Sequence, residues 1–317
     1  MTESKPSSRP APLPYATFRL KTTRPVRREQ DPSDVQAAVE SAAAELGLSL
    51  RYDLNDAALL GLTEAVVRLR PQGETLAYLE LAQRARHGAL LTWLHHSLRG
   101  FLSDFDINGY LGTYPLFVLS SQQWRALLPE QQGQGSLLDI GAGRGDVTAQ
   151  LAPLFGQVTA VETSRGMARR LRRQGYRVLE LDLGTADLNE EFDAVSLLNV
   201  LDRCDRPLSL LARARQLLRP GGILAIALVL PYRPFVYRGA VSRAPSERLP
   251  ITQTSFEGAA RDFISLSLLP LGLRVKAVSR APYLSGGDSA RPLYELDDLI
   301  VVAEAIGPPP PILGRRG

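Results

Sequence analysis

Leu137-Leu138-Asp139-Ile140-Gly141-Ala142-Gly143-Arg144-Gly145 is an apolar run that breaks into a turn with glycine at every second position. A strand ending this way turns sharply and lets its backbone approach a ligand that a Cβ would exclude, with the ligand at the start of the next helix. The dinucleotide fingerprint G-x-G-x-x-G uses its third glycine to pack helix closely on strand. Here the spacing is G-x-G-x-G, and Asp146 stands where that third glycine would be. The departure counts against NAD or FAD. Glu162 ends the next apolar run, Gln157-Val158-Thr159-Ala160-Val161, at the distance from which an acid accepts hydrogen bonds from both ribose hydroxyls. A ribose-bearing cofactor is expected.

Working outward, a third acid, Asp182, closes the run Tyr176 to Leu181, from which it could reach an adenine edge. Three successive strands ending in acids, with Asp139 the first, resemble the class I S-adenosylmethionine-dependent methyltransferases. The resemblance implies S-adenosyl-L-methionine as cofactor and a Rossmann-like α/β fold with a doubly wound seven-stranded sheet. Asp139, Gly141, Gly143, Gly145, Glu162 and Asp182 would line the cofactor edge. The rhythm of the chain supports parallel βαβ units. Helical segments Val147 to Leu154 and Met167 to Arg173 are followed by the strand Phe192 to Ser196, the helix Pro207 to Leu218 and, after Gly221-Gly222, the strand Ile223 to Leu228. The last third reads as a helix over Phe256 to Leu269 and strands over Leu273 to Ser279 and Leu299 to Ala305.

On the other side of the glycine turn, Asp34 to Leu46, Asp56 to Leu69 and Glu74 to Phe105 have helical composition or spacing. They predict a helical N-terminal appendage. Asn108-Gly109 is a turn signal, and Tyr110 to Leu119 is expected to cross the mouth of the cofactor pocket before a short helix. The organisation predicted is a disordered basic, Pro-rich arm over 1–32, a helical region and pocket lid over 33–130, a methyltransferase domain over 131–306, and an extended tail over 307–317 that includes Pro308 to Pro311.

With 317 residues, 44% of them hydrophobic, the chain can bury a substantial core. Residues 1–30 hold seven Lys or Arg against two Glu, and Arg315-Arg316 lie at the other end, so the net charge of +4 belongs to the termini. Residues 31–306 carry a net charge of −3. Nucleic acid is therefore not an expected partner. One cysteine, Cys204, and three histidines, His87, His95 and His96, argue against a disulfide framework and a protein-built metal site. The first 30 residues lack the pattern of a secretory leader, and no apolar run has the length of a transmembrane segment. The expectation is a cytoplasmic monomer. No P-loop, zinc-finger spacing or nucleophile elbow occurs.

Open α/β sheets place their crevices at the carboxyl ends of the strands. The fourth strand of the rhythm ends Ser196-Leu197-Leu198-Asn199-Val200-Leu201-Asp202-Arg203-Cys204, with an amide and a carboxylate three residues apart, on one face if the segment coils. An N6-adenine methyltransferase would show Asn or Asp, then Pro-Pro, then an aromatic residue here, and the chain does not. Asp202 has a second reading as the N-cap of the helix at Pro207.

A closer resemblance rests on Asn108 to Gly112, Leu137 to Gly145, Leu198 to Leu208, Ala227 to Val236, Pro282-Tyr283-Leu284 and Tyr294 to Asp298. In these segments, spread from about Gly100 to Ala303, the chain resembles the DREV family, also called methyltransferase-like protein 9. That resemblance implies a protein-histidine N-methyltransferase that places a methyl on the pros nitrogen (Nδ1) in His-x-His motifs, with x small. It implies protein or peptide partners carrying that motif. Carried over residue by residue, Glu162 holds the ribose, Gly141, Gly143 and Gly145 form the turn on the methionine side, and Asn199 and Tyr283 lie on the cofactor side near the methyl. Asp202 and Tyr294 face the substrate imidazole, giving Asp202, Asn199 and Tyr294 as the catalytic set. Two alternatives stand beside it: a methyltransferase of the same fold acting on a small molecule or RNA, and a non-catalytic protein that keeps the cofactor pocket.

Overall fold

The computed structural model describes residues 31–59, 61–84, 115–184, 186–238, 241–286 and 293–309. The short strand β1 (Leu116–Phe117) precedes five strands, β2 (Ser136–Ile140), β3 (Gln157–Val161), β4 (Arg177–Leu179), β5 (Phe192–Leu198) and β6 (Leu218–Leu230). These five pair in parallel, in the order β6-β5-β2-β3-β4. Most are near-continuous apolar runs because both faces of the sheet are covered. A small hairpin, β7 (Val236–Arg238) and β8 (Val241–Arg243), stands apart from the sheet. The long strands β9 (Leu273–Gly286) and β10 (Leu293–Ala305) then return antiparallel, with β10 between β6 and β9. Seven strands thus form the expected doubly wound sheet, and β1 adds an eighth by pairing Phe117 with Leu284 on the β9 edge.

The described helices are α1 (Pro32–Glu45), α2 (Gly73–Arg84), α3 (Ser121–Leu127), α4 (Thr148–Leu151), α5 (Arg165–Arg173), α6 (Pro207–Gln216) and α7 (Phe256–Phe263). Strand periodicity sends Leu138, Val195, Ile226 and Val301 to one face, where they pack with Leu211 and Phe263 of α6 and α7. Their neighbours Leu137, Ala194, Ala225 and Ile300 face Trp124, Leu127 and Leu151 of α3 and α4. A third apolar cluster, built from Val39, Tyr78, Leu79, Phe117, Leu284 and Leu293, docks α1 and α2 on the outer part of the β9–β10 pair.

Several elements differ from expectation. The helix expected over Asp56 to Leu69 is absent. Two single 3₁₀ turns, Asp56–Ala58 and Thr63–Ala65, flank Gly61 at φ +78°, and Val66 then bridges in parallel to Val278 while the Val67 N–H donates to the Val278 carbonyl at 2.9 Å. Pairing with a sheet and a left-handed glycine override local composition here. The segment expected to cross the pocket mouth contributes β1 at the sheet edge. Tyr110 to Tyr114 lie outside the described residues, as do Asn108-Gly109, the three histidines, the remainder of the expected Glu74 to Phe105 helix beyond Arg84, and residues 1–30 and 310–317. The helix expected over Phe256 to Leu269 is α-helical only to Phe263, continuing as a π turn, Ile264–Leu268, and a 3₁₀ turn, Leu269–Leu271, that contains Pro270. Both β9 and β10 run well past the expected ends, which brings Tyr283 and Tyr294 into strands. Among the described residues no helix is long and apolar enough to cross a membrane.

Candidate active site

The site is assembled at the carboxyl ends of β2, β3, β5 and β6, joined there by the first half of the antiparallel β10. After β2 the chain turns through Gly141, Gly143 and Gly145 at φ +72°, +55° and +82°. Each glycine is needed for a different reason. A Cβ on Gly141 would stand 2.7 Å from Val200 Cγ2, and one on Gly145 would meet Leu171 Cδ2 of α5 at 2.8 Å, so these two let neighbouring elements approach. A Cβ on Gly143 would meet only the Gly141 carbonyl, at 3.9 Å; the backbone there borders open space, the cradle that a cofactor needs. Arg144 pairs with Asp146 at 2.9 Å, and Asp146 accepts the Leu116 N–H at 3.4 Å, so the residue that breaks the dinucleotide fingerprint ties the loop to β1.

The three acids at the strand ends do different things. Asp139 is buried; its carboxylate accepts the Thr148 hydroxyl at 2.5 Å and the Ser196 hydroxyl at 2.7 Å. Burial, reinforced by the charge of Glu162 and opposed by the two hydroxyls, pushes its pKa up to about 6. Asp139 therefore braces β2 against β5 and α4. Glu162 accepts the Gly143 N–H on Oε2 at 2.9 Å and the Ser164 N–H on Oε1 at 2.8 Å. Each carboxylate oxygen can accept more than one hydrogen bond, so this half-buried group retains capacity for two hydroxyls. Asp182 follows β4 and accepts the Gly184 N–H at 2.8 Å.

At the end of β5, Asn199 adopts φ +58°, left-handed backbone that Asn tolerates better than most residues. Its N–H donates to the Ala227 carbonyl at 2.9 Å, and its Nδ2 donates to Asp298 Oδ2, also at 2.9 Å. Asp298, which sequence reasoning did not select, is fully buried in β10, in register with Val229 of β6 and Ala281 of β9. Burial first, then the charges of Asp202 and Asp297, hold its carboxyl well above the usual range, against the Asn199 hydrogen bond. The available signal was a carboxylate at the start of an apolar run, Asp298-Leu299-Ile300-Val301-Val302.

Asp202 lies in the turn after β5 and is 2% exposed. Burial raises its pKa, and Arg203, 3.3 Å from Oδ2, opposes the rise. The Arg203 guanidinium is itself held 3.9 Å over the Phe235 ring. Arg206, not Asp202, is the N-cap of α6, and it makes no side-chain capping bond, so the capping reading of Asp202 falls. Strand periodicity places Tyr294, Leu296 and Asp298 on one face of β10, opposite Ser285, Tyr283 and Ala281 of β9. Burial, with the charges of Asp298 and Asp202, pushes the Tyr283 phenol up. Tyr294 is 38% exposed at the outer end of that row.

Three oxygens of this region have no partner. Asn199 Oδ1, Asp202 Oδ1 and Asp298 Oδ1 are each buried without a hydrogen-bond partner. Such groups are costly unless a donor reaches them, so the site suits a ligand that brings hydrogen-bond donors. Among the described residues no cluster of His, Cys, Asp and Glu could hold a metal ion.

The DREV methyltransferase family matches over residues 52–305. This chain belongs to that family. S-adenosylmethionine is its cofactor, and the open cradle at Gly143 beside the Glu162 carboxylate fits it. Other relatives of the DREV chain match over shorter stretches. A ubiquinone biosynthesis O-methyltransferase of Xanthomonas oryzae pv. oryzae is 29% identical over 99 residues, 29% of this chain and 41% of that protein. A trans-aconitate 2-methyltransferase of Deinococcus radiodurans is 34% identical over 105 residues, 32% of this chain and 40% of that protein. The DREV chain thus spans about two-fifths of the length of these relatives. Among solved structures, the N-methyltransferase NodS from Bradyrhizobium japonicum WM9, in complex with S-adenosyl-L-homocysteine, is 17% identical. It aligns over 58% of this chain and 85% of its own with a TM-score of 0.37, a likeness of fold alone.

Proposed function

We propose that this DREV-family chain is an S-adenosylmethionine-dependent protein-histidine methyltransferase that modifies Nδ1 of histidine in His-x-His segments. The observation that carries the reading is Asp202 Oδ1, a buried carboxylate oxygen without a partner at the strand end that follows the cofactor turn. S-adenosylmethionine, when bound, supplies an electrophilic methyl on a sulfonium. The acceptor must offer an unprotonated nitrogen in line with it, which calls for alignment more than for acid catalysis. Free imidazole has a pKa of about 6.5, so the neutral ring is abundant at neutral pH.

The site's task is to choose the nitrogen. Asp202 Oδ1 accepts a hydrogen bond from Nε2–H, which leaves the lone pair on Nδ1. As the N–C bond forms and the S–C bond breaks, positive charge spreads over the ring, and the same carboxylate stabilises it. The Nε2 proton then leaves to water. Arg203 opposes the rise that burial imposes on the Asp202 carboxyl, and Tyr283 and Tyr294 flank the acceptor from the β9–β10 face. Glu162 holds the ribose, with the Gly141 to Gly145 turn on the methionine side and Asp182 toward the adenine.

The test is incubation with methyl-labelled S-adenosylmethionine and the peptide Ala-His-Ala-His-Ala or its single His→Ala variants, with the methyl located by ring-nitrogen NMR. Labelling at Nδ1 that requires both histidines is the expected result. Transfer only to small-molecule hydroxyl or carboxylate acceptors, or to RNA, would replace the reading. Cofactor binding without transfer to any acceptor would make the protein non-catalytic.

A further inference from the structure

Asp298 has no evident structural reason to be a carboxylate. It lies between Val229 and Ala281 in a sheet where its successors Leu299, Ile300, Val301 and Val302 are all buried and apolar. A buried carboxylate is expensive unless it is well bonded, and this one has a single hydrogen bond, from Asn199 Nδ2, while Oδ1 has none. Asp202 and Asp297 add like charge against it. An apolar side chain would suit the sheet better, so the group serves something else.

Its partner shows what. The Asn199 side chain has a donor end and an acceptor end of nearly identical shape, and its bonding partners decide which end points where. Asp298 Oδ2 accepts from Asn199 Nδ2 at 2.9 Å. Facing Asp298, Asn199 therefore commits Nδ2 to β10 and leaves Oδ1 as its unbonded end, at the strand terminus that also carries Asp202 Oδ1. The left-handed backbone of Asn199 and its N–H bond to Ala227 fix the root of the side chain, so the amide orientation is the remaining freedom.

We infer that Asp298 is a positioning residue that locks the Asn199 amide with Oδ1 toward the methyl-transfer site. The site then presents oxygen acceptors and no amide donor, and selects an acceptor group that carries its own N–H. The identity of that group rests on the histidine reading above. A flipped amide would turn two N–H donors toward a ring that also brings an N–H, leaving both donors unpaired. A mispaired buried polar contact of this kind discriminates strongly between ligands.

The test combines a double-mutant cycle with a spectrum. Asp298→Asn can donate to Asn199 Oδ1 and so permits the flip; Asp298→Leu removes the lock without offering a new donor. Both should lower kcat on the His-x-His peptide at least tenfold while S-adenosylhomocysteine affinity stays within about threefold. In an Asn199→Ala background the Asp298→Asn change should cost less than a further twofold, because its effect passes through Asn199. Effects that multiply would overturn the proposal, since they mean that Asp298 acts by itself or only supports the sheet.

In the unaltered protein the Asn199 side-chain amide protons, assigned by their loss in Asn199→Ala, should exchange slowly with solvent. Fast exchange would overturn the lock even if the variants fail to fold. The spectrum needs no acceptor. Absence of peptide methylation by the unaltered protein would therefore remove the histidine reading while the exchange rate still decides whether Asp298 holds Asn199.

Discussion

The Glu162 carboxylate accepts the Gly143 backbone N–H at 2.9 Å, joining the acid that ends β3 to the glycine turn that follows β2. The cradle and its acid form one unit, so damage to the acid reaches the turn. Glu162→Ala should weaken S-adenosylmethionine binding by at least about tenfold, through loss of charge-assisted hydrogen bonds to hydroxyls and of the loop's own tether. Glu162→Gln should fall between, because an amide still accepts at one atom. Isothermal titration with S-adenosylhomocysteine measures both.

Two glycines of the same turn should separate folding from binding. Gly141→Ala puts a Cβ 2.7 Å from Val200 Cγ2 at φ +72°, so it should lower stability by about 2 kcal/mol or more and impair binding with it. Gly143→Ala, with its Cβ in open space, should cost only about 1–2 kcal/mol from its left-handed backbone. It should nonetheless reduce cofactor affinity as severely, because the added methyl occupies the cradle. Thermal melts beside titrations of both variants read the contrast.

Asp139 should impose a pH signature on stability. Its pKa is about 6 in the fold against an ordinary 3.8, so the native state holds this proton more tightly than the unfolded chain. Its favourable contribution is complete below the unfolded value and is lost as pH rises from about 4 to about 6. The loss amounts to roughly 3 kcal/mol, two pKa units at 1.36 kcal/mol each. Asp139→Asn, which cannot titrate, should therefore gain on the unaltered protein by about that much between pH 4 and pH 7 in urea melts. An unchanged difference between the two curves would show that the carboxylate titrates normally.

Asp202→Asn retains the shape of the side chain and removes its charge. Turnover on a His-x-His peptide should drop by at least about a hundredfold while S-adenosylhomocysteine affinity is kept, since the acid is assigned to the acceptor. Single-turnover rates with cofactor saturating distinguish this from a binding defect. An unaltered rate would exclude Asp202 from the chemistry.

Much of this site was legible because its requirements are local. Gly141, Gly143 and Gly145 stand out since positive φ is a property of one residue at a time, and Glu162 follows from a constant strand-helix-strand spacing. Asn199 and Asp202 were legible through their place after an apolar strand. Asp298 was not, because its meaning depends on β10 lying beside β6, so that residues 99 positions apart share a hydrogen bond. The surroundings of the acids were likewise hidden: the hydroxyls of Thr148 and Ser196 that donate to the Asp139 carboxylate come from α4 and β5.

The sequence by itself determined the parallel half of the sheet and the glycine turn, since hydrophobic period, strand-helix alternation and backbone permissiveness are carried by neighbouring residues. Only the tertiary structure decided the rest. It replaced an expected helix over Asp56 to Leu69 with turns that end in a bridge to Val278, and it extended β9 and β10 until Tyr283, Tyr294 and Asp298 shared one face. It also set the Asn199 amide against a buried carboxylate. Each outcome depends on hydrogen-bond register and burial between distant segments, and those energies arise only when the segments meet.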